Sequence, residues 1–162
     1  MPAVSNSSPL IVYAKIGRLA LLQSVFGEVL TPSSVHAEVV GAGGGRPGAA
    51  EVRDAHWIRP VALSQRDVLE SLTPALGRGE AEVIALALEL GGQVPVLIDD
   101  RDGRRAARRH GLRVFGSAGV LVLAKSAGLV PAVRPDLDQL RLAGLFLGDA
   151  AYRDALAQAG EL

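Results

Sequence analysis

Cysteine is absent from the sequence. That excludes disulfides, a thiolate zinc site and a cysteine nucleophile, and it fits a reducing compartment. Net charge is missing as well, because 17 Lys and Arg balance 17 Asp and Glu. No globally basic surface exists for nucleic acid or membrane, so any electrostatic footprint is local. Aromatic residues make up only 4% of the chain, which argues against base stacking as a main mode of binding. Long apolar runs are lacking too. The stretch from Val114 to Val130 is broken by glycines and Lys125, too interrupted for a membrane span. The opening "MPAVSNSSPLIVYAK" lacks a basic region followed by a long apolar core, so it does not read as a signal peptide. The expectation is a soluble cytoplasmic protein with no membrane partner. His36, His56 and His110 show no metal-ligand spacing such as HExxH.

What is present suffices for one folded domain over residues 1–162, since the chain is 49% hydrophobic. "PAV" reads as a buried strand and "SNSSP" as a turn, with Ser7 or Ser8 as cap of the helix that follows. Gly17 and Arg18 divide that helix in two. "EVLTPSS" reads as a strand ending at Thr31, with Pro32 in the first turn of a helix carrying Glu38. "HWIRPVAL" is a strand, and "SQRDVLESL" a helix capped by Ser64. "LGRGEAEVIALALELGG" is a helix, "VPVLI" a strand, "RDGRRAARRHG" a basic helix, "LRVFG" a strand and "SAGVLVLAKSAGL" a helix. Two more helices, from about residue 130 onward, close the chain and pack on the rest. "VLI" and "LRV" are apolar on both faces, and strands alternate with helices. That pattern predicts an α/β fold with a parallel sheet between helical layers. Gly43, Gly45 and Gly48 match G-x-G-x-x-G, but they follow a helix and enclose Pro47, so the stretch reads as a flexible loop.

In such a sheet, ligands bind beyond the carboxyl ends of the strands. Asn6 follows the first strand, and Asp99 and Asp100 follow "VPVLI". Glu80 and Glu82 open the helix before that strand, and Glu38 sits on the helix after "EVLTP". Each has an ordinary explanation: a turn residue, a helix-dipole acid, a solvated side chain, a cap. Their combination at one rim is harder to explain so. Carboxylates gathered together repel one another, and a hard divalent cation, Mg2+ or Mn2+, relieves that repulsion. Beside the acidic pair, Arg101, Arg104, Arg105 and Arg108 share one broad helical face. Arginines that grip a phosphate backbone next to a metal that cuts it form a coherent set.

These residues carry a resemblance. "VSNSSPLIVYAKIGRL" resembles the opening of the PIN domain, a metal-dependent nuclease fold. "LGRGEAEVIALALELG", then "VLIDDRDGRRAARRHGLRVFG", then "VRPDLDQLRLAGLFL", resemble one uncharacterised bacterial and archaeal branch of PIN-like proteins. The resemblance implies a three-layer α/β/α sandwich with a mainly parallel central sheet, Mg2+ or Mn2+ as cofactor, and endoribonuclease activity on single-stranded RNA. It further implies a toxin-like protein, a homodimer neutralised by a small antitoxin. By position, the metal-site residues fall on Asn6, on Glu38, on Glu80 with Glu82 close by, and on Asp99 or Asp100. Ser8 supplies the neighbouring hydroxyl, and with Arg101, Arg104, Arg105 and Arg108 it is a candidate for nucleic-acid contact. The wider family has Asp where this chain has Asn6, which removes one charge from the site. That departure supports an alternative: a PIN-fold module that binds nucleic acid or protein with weakened catalysis. "VLIDD" also resembles the acidic pair of phosphoacceptor receivers, but receivers carry the pair on their first strand.

Overall fold

The computed structural model describes residues 1–41 and 45–162. In chain order the elements are β1 (Ala3–Ser5), α1 (Ser7–Lys15), α2 (Leu19–Phe26), β2 (Val29–Pro32), α3 (Ser33–Val40), α4 (Ala49–Asp54) and β3 (Ile58–Val61). There follow α5 (Asp67–Leu72), α6 (Arg78–Glu89), β4 (Val96–Leu97), α7 (Arg101–Arg109), β5 (Val114–Phe115), α8 (Ser117–Ser126), α9 (Arg134–Leu142) and α10 (Asp149–Gln158). The strands form one sheet in the order β3-β2-β1-β4-β5, with every neighbouring pair parallel. Successive strand side chains point to opposite faces. Ala3, Val29 and Leu97 accordingly join the core under α1, α2 and α8, while Val4, Leu30, Val96 and Ile98 join the core under α5, α6 and α7. The result is the three-layer α/β/α sandwich expected from the sequence. Helices α9 and α10 pack against α8.

The strand order places the site. From β1 the chain builds outward through β2 to β3. It then returns through α5 and α6 and lays β4 on the other side of β1. The direction of winding reverses between β1 and β4, which makes the region beyond their carboxyl ends the place where such sheets bind ligands.

Three local expectations are corrected, and one helix appears that the sequence reading did not include. Neither Ser7 nor Ser8 caps α1: both lie within it, and Asn6 occupies the N-cap position without a side-chain capping bond. Pro32 ends β2 and stands at the N-cap of α3 rather than inside its first turn. Ser64 does not cap α5, which begins at Asp67. Instead the Ser64 and Gln65 N–H groups donate to Glu89 at the end of α6, at 2.9 and 2.6 Å. Finally, a short helix, α4, follows the glycine-rich stretch. The G-x-G-x-x-G run begins at Gly43, outside the described residues, and it follows α3 rather than a strand.

Candidate active site

Two strand ends and two helix starts meet at this edge of the sheet. Asn6 leaves β1 and Asp99 follows Ile98 beyond β4. Asn6 is only 7% exposed. Among the described residues its side-chain amide has no hydrogen-bond partner, and neither does the Glu80 carboxylate. Two glycines let these groups approach. A Cβ on Gly79 would stand 2.8 Å from Asn6 Oδ1, so the start of α6 lies close against the Asn6 side chain where Gly79 has no Cβ. A Cβ on Gly103 would meet both Glu80 Cγ at 2.8 Å and Ile98 Cγ2 at 2.9 Å, so α7 lies directly against Glu80 and the end of β4. Asn6, the Glu80 stem and Asp99 thus border one rim, with the Glu80 carboxylate lying beside Gly77 at the start of α6.

Asp99 is held in place by donors. Its Oδ1 accepts the Ser117 N–H at 2.6 Å. Its Oδ2 accepts the Ser117 hydroxyl at 2.7 Å and the Ser8 hydroxyl at 3.0 Å. Ser117 opens α8, so the carboxylate also faces the positive end of a helix. The Ser117 carbonyl in turn accepts the Tyr13 hydroxyl at 2.7 Å. Burial above all, then the charges of Asp99 and Asp136, push the Tyr13 phenol well above its usual pKa, so it remains a donor. Sequence reasoning gave Ser8 to nucleic acid and passed over Ser117 and Tyr13. The one signal for Ser117 is its place at the first turn of a helix directly after a strand, where an N–H and a hydroxyl meet whatever lies beyond the neighbouring strand.

A family comparison places the chain. The family model DUF3368, described as a PIN domain, matches residues 2–161. The chain belongs to the PIN-domain family. No curated protein and no solved structure matches it.

PIN domains generally use divalent metal ions, and the residues at the rim can be tested against such an ion. Asn6 offers a hard amide oxygen and Glu80 a carboxylate, both without other partners. Asp99 Oδ1 accepts a single hydrogen bond and keeps an acceptor position. Oxygen donors of this kind suit Mg2+ or Mn2+ held partly through water. Among the described residues no group of three or more His, Cys, Asp or Glu side chains converges on one point. The donors therefore fit a cation bound through few protein oxygens and correspondingly weakly. Other acids expected at the site stand elsewhere. Asp100 is exposed and serves as N-cap of α7, its Oδ2 accepting the Gly103 N–H at 2.8 Å. Glu82 is turned to the other side of α6, buried against Arg78 and Ser34. Glu38 lies exposed on α3, with no hydrogen bond or ion pair among the described residues.

The arginine face of this PIN domain is as expected from helical spacing. Arg101, Arg104, Arg105 and Arg108, joined by Arg109, line one open groove of about 470 Å³. Among the described residues none of them pairs with an acid. Arg104 joins groove to rim, because its guanidinium donates to the Asp99 main-chain carbonyl. No helix among the described residues is long and apolar enough to cross a membrane.

Proposed function

We propose that this PIN-domain protein is a metal-dependent endoribonuclease that hydrolyses phosphodiester bonds of single-stranded RNA. By the family's habit it is a cytoplasmic, toxin-like homodimer held in check by a small antitoxin. The reading is supported by one observation above others: Asn6, the Glu80 stem and Asp99 border a single rim at the winding reversal, next to a groove of arginines that pair with no acid among the described residues. Asn6, Glu80 and Asp99 Oδ1 would hold Mg2+ or Mn2+. At such a site the ion supplies activation of water and neutralisation of charge on the phosphate oxygens. Ser117 and Ser8 keep Asp99 oriented. The arginines hold the RNA phosphates by charge-assisted hydrogen bonds, with Arg104 nearest the rim. The test is cleavage of a labelled single-stranded RNA in Mn2+, Mg2+ or EDTA, with Glu80→Gln beside the wild type. Glu80 makes no hydrogen bond among the described residues, so this change should leave the fold intact. Metal-dependent cutting lost in the variant is expected. Undiminished cutting in EDTA would sink the reading.

A second reading has its own observation. Asn6 stands where the wider family has an acid, and Glu38 makes no link to the rim. On this view the protein binds RNA or protein without cutting. It calls for salt-sensitive RNA binding with no cleavage in either metal.

A further inference from the structure

A second cavity, of about 200 Å³, opens on the other side of α6, at the carboxyl ends of β2 and β3. Glu80 and Glu82 are two positions apart on that helix, which turns them to opposite sides. Glu80 lies against α7, and Glu82 lies against α3. Pro32, Leu63 and Leu69 give the cavity apolar walls. Its polar groups are Ser33, Ser34, Arg66, Arg78 and Glu82. Glu82 is 3% exposed and each of its oxygens accepts one donor. Arg78 Nε donates to Oε1 at 2.7 Å, and the Ser34 hydroxyl donates to Oε2. A carboxylate has about four acceptor positions, so each oxygen retains a free one.

Two acceptors side by side call for two adjacent N–H donors. Among the RNA bases only guanine has them on one edge, at N1 and N2. Uracil flanks its single N–H with carbonyls, and cytosine and adenine set one amino group beside a bare ring nitrogen. Guanine continues the row with O6, an acceptor suited to a guanidinium, and two guanidinium groups, of Arg66 and Arg78, line the same cavity. The volume is below the roughly 300 Å³ at which pockets begin to take whole small ligands. It suits a base alone, with sugar and phosphate outside. The geometry points to a guanine-binding pocket that reads a nucleotide beside the one held at Glu80 and Asp99. Its part in cleavage rests on the ribonuclease reading, whereas its binding of the base does not.

Binding of 5′-GMP, 5′-CMP, 5′-AMP and 5′-UMP to the whole chain, without metal, tests the pocket. The four share a phosphate, so the arginine groove contributes equally to each. GMP should bind roughly tenfold more tightly than UMP, as a bidentate base contact provides. Glu82→Gln places an amide donor against the base donors and should abolish the preference. Because Glu82 is buried, a variant at the exposed mouth is measured beside it. Ala62→Trp fills the cavity from the solvent side and should weaken GMP binding roughly tenfold with the circular dichroism unchanged. Equal binding of all four nucleotides, no measurable GMP binding, or unaltered GMP binding in folded Ala62→Trp would each overturn the proposal. A protein that prefers GMP and cuts no RNA keeps the pocket and loses the ribonuclease. One that cuts RNA in Mn2+ but shows no GMP preference loses the pocket alone.

Discussion

At the scale of single residues, the proposed site turns on Asn6. Asn6 can give a cation an amide oxygen but no formal charge, and at the proposed rim the carboxylates come from Glu80 and Asp99. Asn6→Asp should therefore act in opposite directions with and without metal. In EDTA the added carboxylate faces Glu80 and Asp99 and should lower the melting temperature. In excess Mn2+ the same carboxylate becomes a ligand. Metal affinity should rise roughly tenfold, and the metal should stabilise the variant by about 1.4 kcal/mol more than the wild type. Thermal unfolding of both proteins across a Mn2+ titration measures the crossing. Parallel curves would mean that residue 6 does not face a cation. The residue pattern also separates Asp99 from its neighbour, which the sequence left open. Asp99 accepts three hydrogen bonds from Ser8 and Ser117, whereas Asp100 accepts one from its own helix.

At the scale of the element, α7 explains the paired carboxylates after β4. The helix needs an acceptor for its first orphan N–H groups, and Asp100 supplies one. Removing it with Asp100→Ala should cost about 1 kcal/mol in urea unfolding. A loss near zero would show that the cap bond contributes nothing. The arginines serve the same helix at its other end, where Arg108 and Arg109 complement the dipole. That ordinary role does not account for Arg101, Arg104 and Arg105 nearer the start. If the groove follows an RNA backbone, Arg105→Ala with Arg108→Ala should weaken binding. The slope of log affinity against log salt should also fall by roughly 0.7 for each phosphate contact removed. Filter binding of a single-stranded RNA at several salt concentrations gives that slope, and an unchanged slope would place the RNA elsewhere.

At the scale of the whole molecule, the last residues secure the helices that follow the sheet. The Glu161 carboxylate accepts the Val133 N–H at 2.7 Å and the Arg134 N–H at 3.2 Å, so it caps α9 from the far end of the chain. Lys125 of α8 donates to it at 3.0 Å. The Val133 N–H, with the Lys125 ammonium, holds the Glu161 pKa below its usual 4.5. A depressed carboxylate pKa means that its stabilisation is complete above the unfolded value and is lost as the pH falls through the folded one. Glu161→Gln should thus be less stable than the wild type at pH 7. The difference should shrink as the pH drops below 4.5. Urea unfolding of both proteins from pH 7 to about 3 checks this. A gap that stays constant with pH would remove the carboxylate's charge from the account.

The sequence by itself determined the layered α/β architecture, because strands apolar on both faces and alternating with helices have few other ways to bury both surfaces. It also pointed to the rim, through polar residues placed just after buried strands. It could not say which of those residues meet. Asp99 and Asp100 differ by one position, and only the start of α8 beside β4 selects Asp99, by presenting Ser117 to it. Glu80 and Glu82 look alike in the sequence. Packing lays one against Gly103 of α7 and the other into a separate cavity against Ser34. Ser117 and Tyr13 escaped notice because their partners lie about a hundred positions away in the case of Tyr13, and on another strand's end in the case of Ser117. Periodicity reports which face a residue takes on its own element. Which element then stands opposite is decided by the order of strands in the sheet.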